Sequence, residues 1–208
     1  MIRFVSPENI SSEADKPYTL FETELSGNKY RMEYTPIGNF KMCYDDDSLS
    51  SFERKLPPIP SKFHIVCMFF FKEICKRYNT EAALQLFYNE EKGYFLHLPE
   101  QVVRHASVDF ERDYMLEANN LLVADIHSHG IIPAFFSSID DRDELGTRLF
   151  IVYGDLLKKP AFRLRAGSGG HFKNIELFDV FDTQDEVILS EVNAIINELL
   201  KNAHRIKF

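Results

Sequence analysis

Cysteine is scarce in this chain. Its 208 residues hold three (Cys43, Cys67, Cys75), and none forms a C-x-x-C pair. An odd, unclustered set excludes a disulfide framework and a cysteine-rich zinc ribbon, and it fits a reducing cytosol. Basic charge is also short: 24 Lys and Arg face 32 Asp and Glu, a net charge of −8. A protein that coats a duplex needs a cationic face to displace counterions from phosphate, so no nucleic-acid partner is expected. Long apolar runs are missing as well. The strongest, IVCMFFF at 65–71, is followed at once by Lys72 and Glu73, far short of the ~20 residues a bilayer requires. The opening MIRFVSPENISSEADKP turns polar after five positions and has no signal-peptide apolar region. The expectation is a soluble cytoplasmic protein with no membrane partner.

What is present suffices for a packed core, since 45% of the residues are hydrophobic and 13% aromatic. The length suits one domain with an extension. Short aromatic and β-branched runs at 17–24, 28–35 and 39–44, separated by SGN and PIG, predict a small antiparallel meander. The acidic DDDSLSS, then FERKL and the prolines at 57–60, mark a boundary. This divides the chain into a β-rich extension at 1–60 and a domain at 61–208.

From Ser61 the period changes. Phe63, Cys67, Phe70, Phe71, Ile74 and Tyr78 recur every three or four residues, which predicts an amphipathic helix over 61–78 capped by Ser61. Strands are expected at 82–88, 94–98 and 102–110, and LLVADIH at 121–127 reads as a buried central strand. A helix near 139–147, strands at 148–153, 161–166 and 172–180, and an amphipathic helix over 184–205 complete the pattern. The GSGG at 167–170 lies between two strands with no helix after it, so it reads as a hairpin turn, not a phosphate loop. The fold class is α+β, a sandwich with helices flanking one mixed sheet.

The chemistry sits in DIHSHGIIPAFFSSID, 125–140. Side chains alternate across a strand, so His127 and His129 point the same way and can pinch one metal ion. Asp140, returning near a helix start, supplies a third ligand. Two neutral imidazoles and a carboxylate suit Zn²⁺ and leave a fourth position for water. An H-x-H pair alone is often only a satisfied strand. The full spacing H-x-H-x7-S-x2-D, however, arises by chance in about one chain in a thousand of this composition.

His127, His129, Ser137 and Asp140 reproduce the signature of the JAMM metalloproteases (the MPN+ or JAB domain), which this chain resembles from about Ser61 onward. More loosely, EAALQ, LPEQVV and DIHSHG with its following FFS are similar to the prokaryotic JAB branch, PRTRC system protein A among it. The resemblance implies a cytidine-deaminase-like sandwich and a glutamate at the start of the strand after the first helix. Glu81 stands there; Glu73 falls inside the helix, and Glu90 and Glu91 in a turn. It further implies that zinc on His127, His129 and Asp140 holds a water, that Glu81 takes its proton and delivers one to the leaving amine, and that Ser137 hydrogen-bonds the oxyanion. Many relatives have proline after the second histidine. Gly130 here leaves the ligands alone and alters the 130–136 loop.

The substrate that the resemblance implies is the bond after the C-terminal tail of a ubiquitin-like protein or its conjugate, with activating and conjugating enzymes of the same system as further partners. A non-catalytic MPN scaffold is the rival reading; such relatives lack ligands, and all five positions are filled here. A small-molecule amidohydrolase or deaminase is the other. The deaminase pattern H-x-E…P-C-x-x-C is absent. Asp141 and Asp143 read as a solvated first turn, the cysteines as inert packing, and Ser128 as facing away from the metal. Phe135 and Phe136 fit a substrate channel or loop packing equally.

Overall fold

The computed structural model describes residues 3–4, 19–44, 48–104 and 107–207. Most of the polar opening, the acidic run 45–47 and the middle of the expected 102–110 strand lie outside the described residues. Strands β1 (Arg3–Phe4), β2 (Thr19–Leu25), β3 (Asn28–Tyr34), β4 (Gly38–Cys43) and β5 (Ser48–Arg54) form an antiparallel sheet in that order. The meander is therefore present and longer than expected. Strand β5 occupies part of the segment read as a boundary. Its inward residues, Leu49 and Phe52, are three apart, because a register shift between Lys41 and Met42 breaks the alternation.

After β6 (Ile59–Pro60) comes α1 (Ser61–Tyr78), which buries Phe63, Val66, Cys67, Phe70, Phe71, Ile74 and Cys75. Two details differ from expectation. Tyr78 is exposed, on the last turn. Ser61 is the first helical residue and does not cap; Pro60 holds the cap position with no side-chain bond. Asp185, distant in sequence, accepts the Ser61 N–H (2.9 Å) and the Ser61 hydroxyl instead, so the helix start is satisfied by tertiary contact.

The remaining elements are β7 (Ala83–Asn89), β8 (Gly93–His97), β9 (Gln101–Arg104), β10 (Ser107–Phe110), α2 (Tyr114–Asn119), β11 (Leu121–Ser128), α3 (Ser138–Asp143), β12 (Arg148–Gly154), β13 (Ala161–Ser168), β14 (His171–Asn174), α4 (Leu177–Val180), β15 (Phe181–Asp182), α5 (Leu189–Lys201) and β16 (Ile206–Lys207). The central sheet runs β14-β13-β12-β11-β7-β8, with β11 and β12 parallel and the other pairs antiparallel. This is the expected mixed sheet with LLVADIH at its centre, and Gly169–Gly170 form the expected hairpin turn. Helix α1 packs against α5.

Four expected elements are cut short, the first being the helix expected near 139–147, which ends at Asp143. The 102–110 strand is two strands, β9 and β10, paired antiparallel. The 172–180 strand stops at Asn174 and gives way to α4, whose start is held by a reciprocal Glu176–Asp179 capping box. The C-terminal helix ends at Lys201, after which β16 pairs in parallel with β9. One apolar core spans the molecule: Ile37, Phe40, Met42 and Leu49 of the N-terminal sheet join α1 and the central strands. No helix among the described residues is long and apolar enough to cross a membrane.

Candidate metal centre

Strand β11 delivers Asp125 and His127 to one face of the sheet, while Ser128 turns to the other. Ser128 is buried, accepts the Ala82 N–H at 3.2 Å and donates its own N–H to the Ala82 carbonyl at 3.0 Å. His129 follows the strand, its N–H bonded to the Tyr153 carbonyl at 2.8 Å. Gly130 then takes φ +58°, where a proline, locked near −65°, cannot stand. The loop it starts is pinned across the end of β12 by Leu156 N–H to Gly130 O (3.0 Å) and Asp155 N–H to Ile132 O (2.8 Å). That crossing is close: a side chain at Gly154 would meet the Ala134 nitrogen at 2.3 Å.

The S-x-x-D half of the motif has a local explanation. Ser137 Oγ accepts the Ile139 and Asp140 N–H groups, both at 3.2 Å, and Asp140 Oδ2 accepts the Ser137 N–H at 2.5 Å. This capping box starts α3 and fixes the Asp140 carboxylate. Its other oxygen, Oδ1, lies 3.5 Å from His127 Nε2, which lies 3.2 Å from His129 Nε2. One ligand atom from each of His127, His129 and Asp140 falls within 4.8 Å of the others.

His129 Nδ1 stands 3.3 Å from the Pro133 carbonyl. A carbonyl only accepts, so Nδ1 carries the proton and the Nε2 lone pair faces His127 and Asp140. Burial pushes the His127 pKa down to about 4, against the pull of Asp140, so this imidazole is neutral at neutral pH. Two nitrogens about 2.0–2.1 Å from one tetrahedral ion stand roughly 3.3 Å apart. The spacing, the two imidazole nitrogens and the carboxylate all fit Zn²⁺.

A cavity of about 670 Å³ opens beside this trio, and Glu81, His127, His129, Ser137 and Asp140 all line it. The structure thus brings the five expected positions together. Glu81 sits two residues ahead of β7, buried, and its carboxyl is raised to about 7 by that burial, with the Asp140 charge adding to it.

Several residues at this site were not singled out in the sequence. Glu144 Oε1 lies 3.9 Å from His127 Nδ1. Its other oxygen accepts from Arg165 Nε (3.0 Å) and Nη2 (2.6 Å), and burial pushes its carboxyl up to about 8 against that cation. Deeper along β11, Asp125 receives Gln85 (3.2 Å) and pairs with Arg148 (3.3 Å); burial raises Asp125 to about 6 and lowers Arg148 to about 10. Arg31 of β3 also lines the cavity. The available signal was charge inside apolar strand sequence, Asp125 in LLVADIH and Arg165 in AFRLRAG.

The two phenylalanines part company. Phe136 lies beneath the Arg165 guanidinium, 3.9 Å from its ring centre, while Phe135 is half exposed with its ring edge-on to His129 at 4.9 Å. Asp141 is exposed but pairs with Arg165 at 2.5 Å, and Asp143 lines the cavity. The three cysteines are free and buried.

The fold and site define a class: an α+β domain whose central parallel strand pair presents a His-x-His pair toward a helix-capping aspartate. Residues 67–166 match the family model described as prokaryotic homologs of the JAB domain, and over that span the chain is a JAB-family domain. The match runs from within α1 into β13 and contains all five motif positions. No curated protein matches the chain.

Proposed function

We propose that this protein is a zinc-dependent peptidase or isopeptidase of the JAMM type. It would hydrolyse the bond after the C-terminal tail of a ubiquitin-like protein, either freeing the modifier from a target or trimming its precursor. The observation that carries the reading is the convergence of Glu81, His127, His129, Ser137 and Asp140 on one cavity of a JAB-family fold. Residues 61–208 serve as the catalytic unit, with 1–60 as an extension to it. The work is cytoplasmic, beside activating and conjugating enzymes of the same system.

His127, His129 and Asp140 would hold the zinc, which when bound lowers the pKa of a water to about 7. Glu81, titrating near the same pH, takes up the proton released on attack and returns it to the leaving amine. Ser137 Oγ already accepts two backbone N–H groups, so its own proton remains to be donated to the developing oxyanion, an interaction of a few kcal/mol. No acyl-enzyme is required.

The test is elemental analysis of wild type, His129→Ala and Glu81→Ala together with cleavage of a ubiquitin-like fusion. About one zinc in wild type and Glu81→Ala, none in His129→Ala, and cleavage in wild type alone is the expected result. A wild type that takes up no zinc even after reconstitution overturns the enzyme and leaves a non-catalytic JAB scaffold. Zinc without cleavage of any tail overturns the substrate and leaves the metal centre.

A further inference from the structure

Beyond the five motif positions, a second group of side chains bears on the metal centre from behind. We propose that Glu144, locked in place by Arg165, is a positioning residue that orients His127 toward the metal. The inference rests on the zinc reading and deepens it.

The two nitrogens of His127 face different surroundings. Nε2 faces His129 and Asp140, while Nδ1 faces Glu144 at 3.9 Å. At that distance the pair is just outside hydrogen-bond range, and a small rotation of the imidazole closes it. The Arg165 guanidinium and a cation at the metal centre both favour the ionised form of Glu144 against its burial. A carboxylate that receives the Nδ1 proton turns the Nε2 lone pair toward Asp140 and His129, the arrangement a metal-ligating histidine needs. The Pro133 carbonyl does the same for His129. With both rings so fixed, two lone pairs meet at 3.2 Å, a repulsive contact that a cation between them turns to attraction.

Glu144 cannot easily turn away. Its Oε2 receives two N–H groups of Arg165, whose third contact is Asp141 at 2.5 Å. The guanidinium is itself clamped between the Phe136 and Phe172 rings, 3.9 and 3.5 Å from their centres. Arg165 is buried on the rigid strand β13. A planar fork stacked between two rings holds one orientation where a lysine would not. The chain of support therefore runs from the sheet through Arg165 and Glu144 to His127.

The experiment measures zinc affinity of the full-length protein by competition with a chelator, with no peptidase assay involved. Glu144→Gln keeps the shape and removes the group that can ionise when zinc binds; Glu144→Ala removes the acceptor altogether. Both should weaken zinc binding 10- to 100-fold, the alanine more, with Arg165→Lys about 10-fold. Asp141→Asn, at the exposed partner, should stay within twofold. In the zinc-loaded wild type the His127 ring N–H proton should exchange slowly with solvent by ¹H–¹⁵N NMR, and rapidly in Glu144→Ala, a difference general loosening of the fold would not confine to one ring. Wild-type affinity in a folded Glu144→Gln overturns the inference and spares the metal reading. A wild type that binds no zinc overturns the metal reading and this inference with it. Zinc binding that falls as expected in a protein cleaving no ubiquitin-like tail upholds the inference and removes only the substrate.

Discussion

Strands β12 and β3 both reach the site cavity, and they are built differently. β12 (RLFIVYG) is buried at every position, as a strand lying between two others in a sheet covered on both faces must be. β3 (NKYRMEY) has one fully buried residue, and it is a glutamate, Glu33. Thr147 (2.9 Å) and Ser168 donate hydrogen bonds to its carboxylate, and Arg31 from the same strand pairs with it. The central sheet carries His127 on a strand packed between apolar neighbours. The N-terminal sheet reaches the site at this strand through a polar clasp, and through it places Arg31 in the cavity wall.

Glu81 lines the cavity and Glu33 lies buried behind Arg31 in the clasp, and replacing them one at a time separates the roles. Glu81→Gln is the largest expected effect: turnover should fall by about 10²–10⁴-fold as the proton acceptor is lost, with zinc content unchanged. The metal-free variant should melt no lower than wild type, because burial already disfavours the Glu81 charge. Turnover within tenfold of wild type would remove Glu81 from the proton path. Glu33→Ala should do the reverse. Removing one partner of a buried ionic cluster costs about 3–5 kcal/mol, roughly 6–20 °C in a chain of this size. Zinc stoichiometry of the protein that remains folded should be intact. A melting temperature within 2 °C of wild type, read by calorimetry, would show that the clasp contributes nothing.

The metal side of this comparison was open to reading because its signal is local. The i, i+2 histidines on one strand and the S-x-x-D capping box are fixed by neighbours a few residues away, so spacing alone predicts that they converge. The same holds for α1, whose apolar positions recur with the helical period. What escaped is what depends on contacts distant in sequence. Asp185 caps α1 from 124 residues away, Glu33 meets Ser168 across 135, and Arg165 finds Glu144 from the next strand but one. A bulge hid β5, and a break hid the hairpin of β9 and β10 behind a continuous β-rich run. Charge inside an apolar strand was the one trace that Arg165 and Asp125 left.

Arg31 gives a smaller test of whether the N-terminal sheet takes part in binding. Arg31→Ala should raise KM for a ubiquitin-like tail about fivefold, the equivalent of about 1 kcal/mol, with kcat preserved, since the side chain lines the cavity but lies outside the metal trio. A drop in kcat at constant KM would move it from binding to chemistry.

The last test concerns pH, and the groups it reads all lie on the metal side of the comparison. In the metal-free protein the carboxyls of Glu81, Glu144 and Asp125 are held up to about 7, 8 and 6 by burial. A raised carboxyl favours the folded state while protonated, so its contribution is complete below the unfolded value near 4 and is lost as pH rises through the folded one. His127, pushed down to about 4, works in the opposite sense: its contribution is complete above about 6.5 and fades only below that. Between pH 6.5 and 8.5 the carboxyls alone are titrating, so the chelator-treated protein should lose about 1 kcal/mol or more, roughly 2–4 °C of melting temperature. Zinc would add positive charge beside these carboxylates, of which Glu81 has no cation paired with it among the described residues, and the stabilisation it confers should therefore be greater at pH 8.5 than at pH 6.5. Scanning fluorimetry across that range, with and without zinc, checks both signs. A metal-free melting temperature that rises over the interval would mean that these carboxylates are already compensated by Arg165 and Arg148, leaving the metal trio as the only charge-deficient part of the cavity.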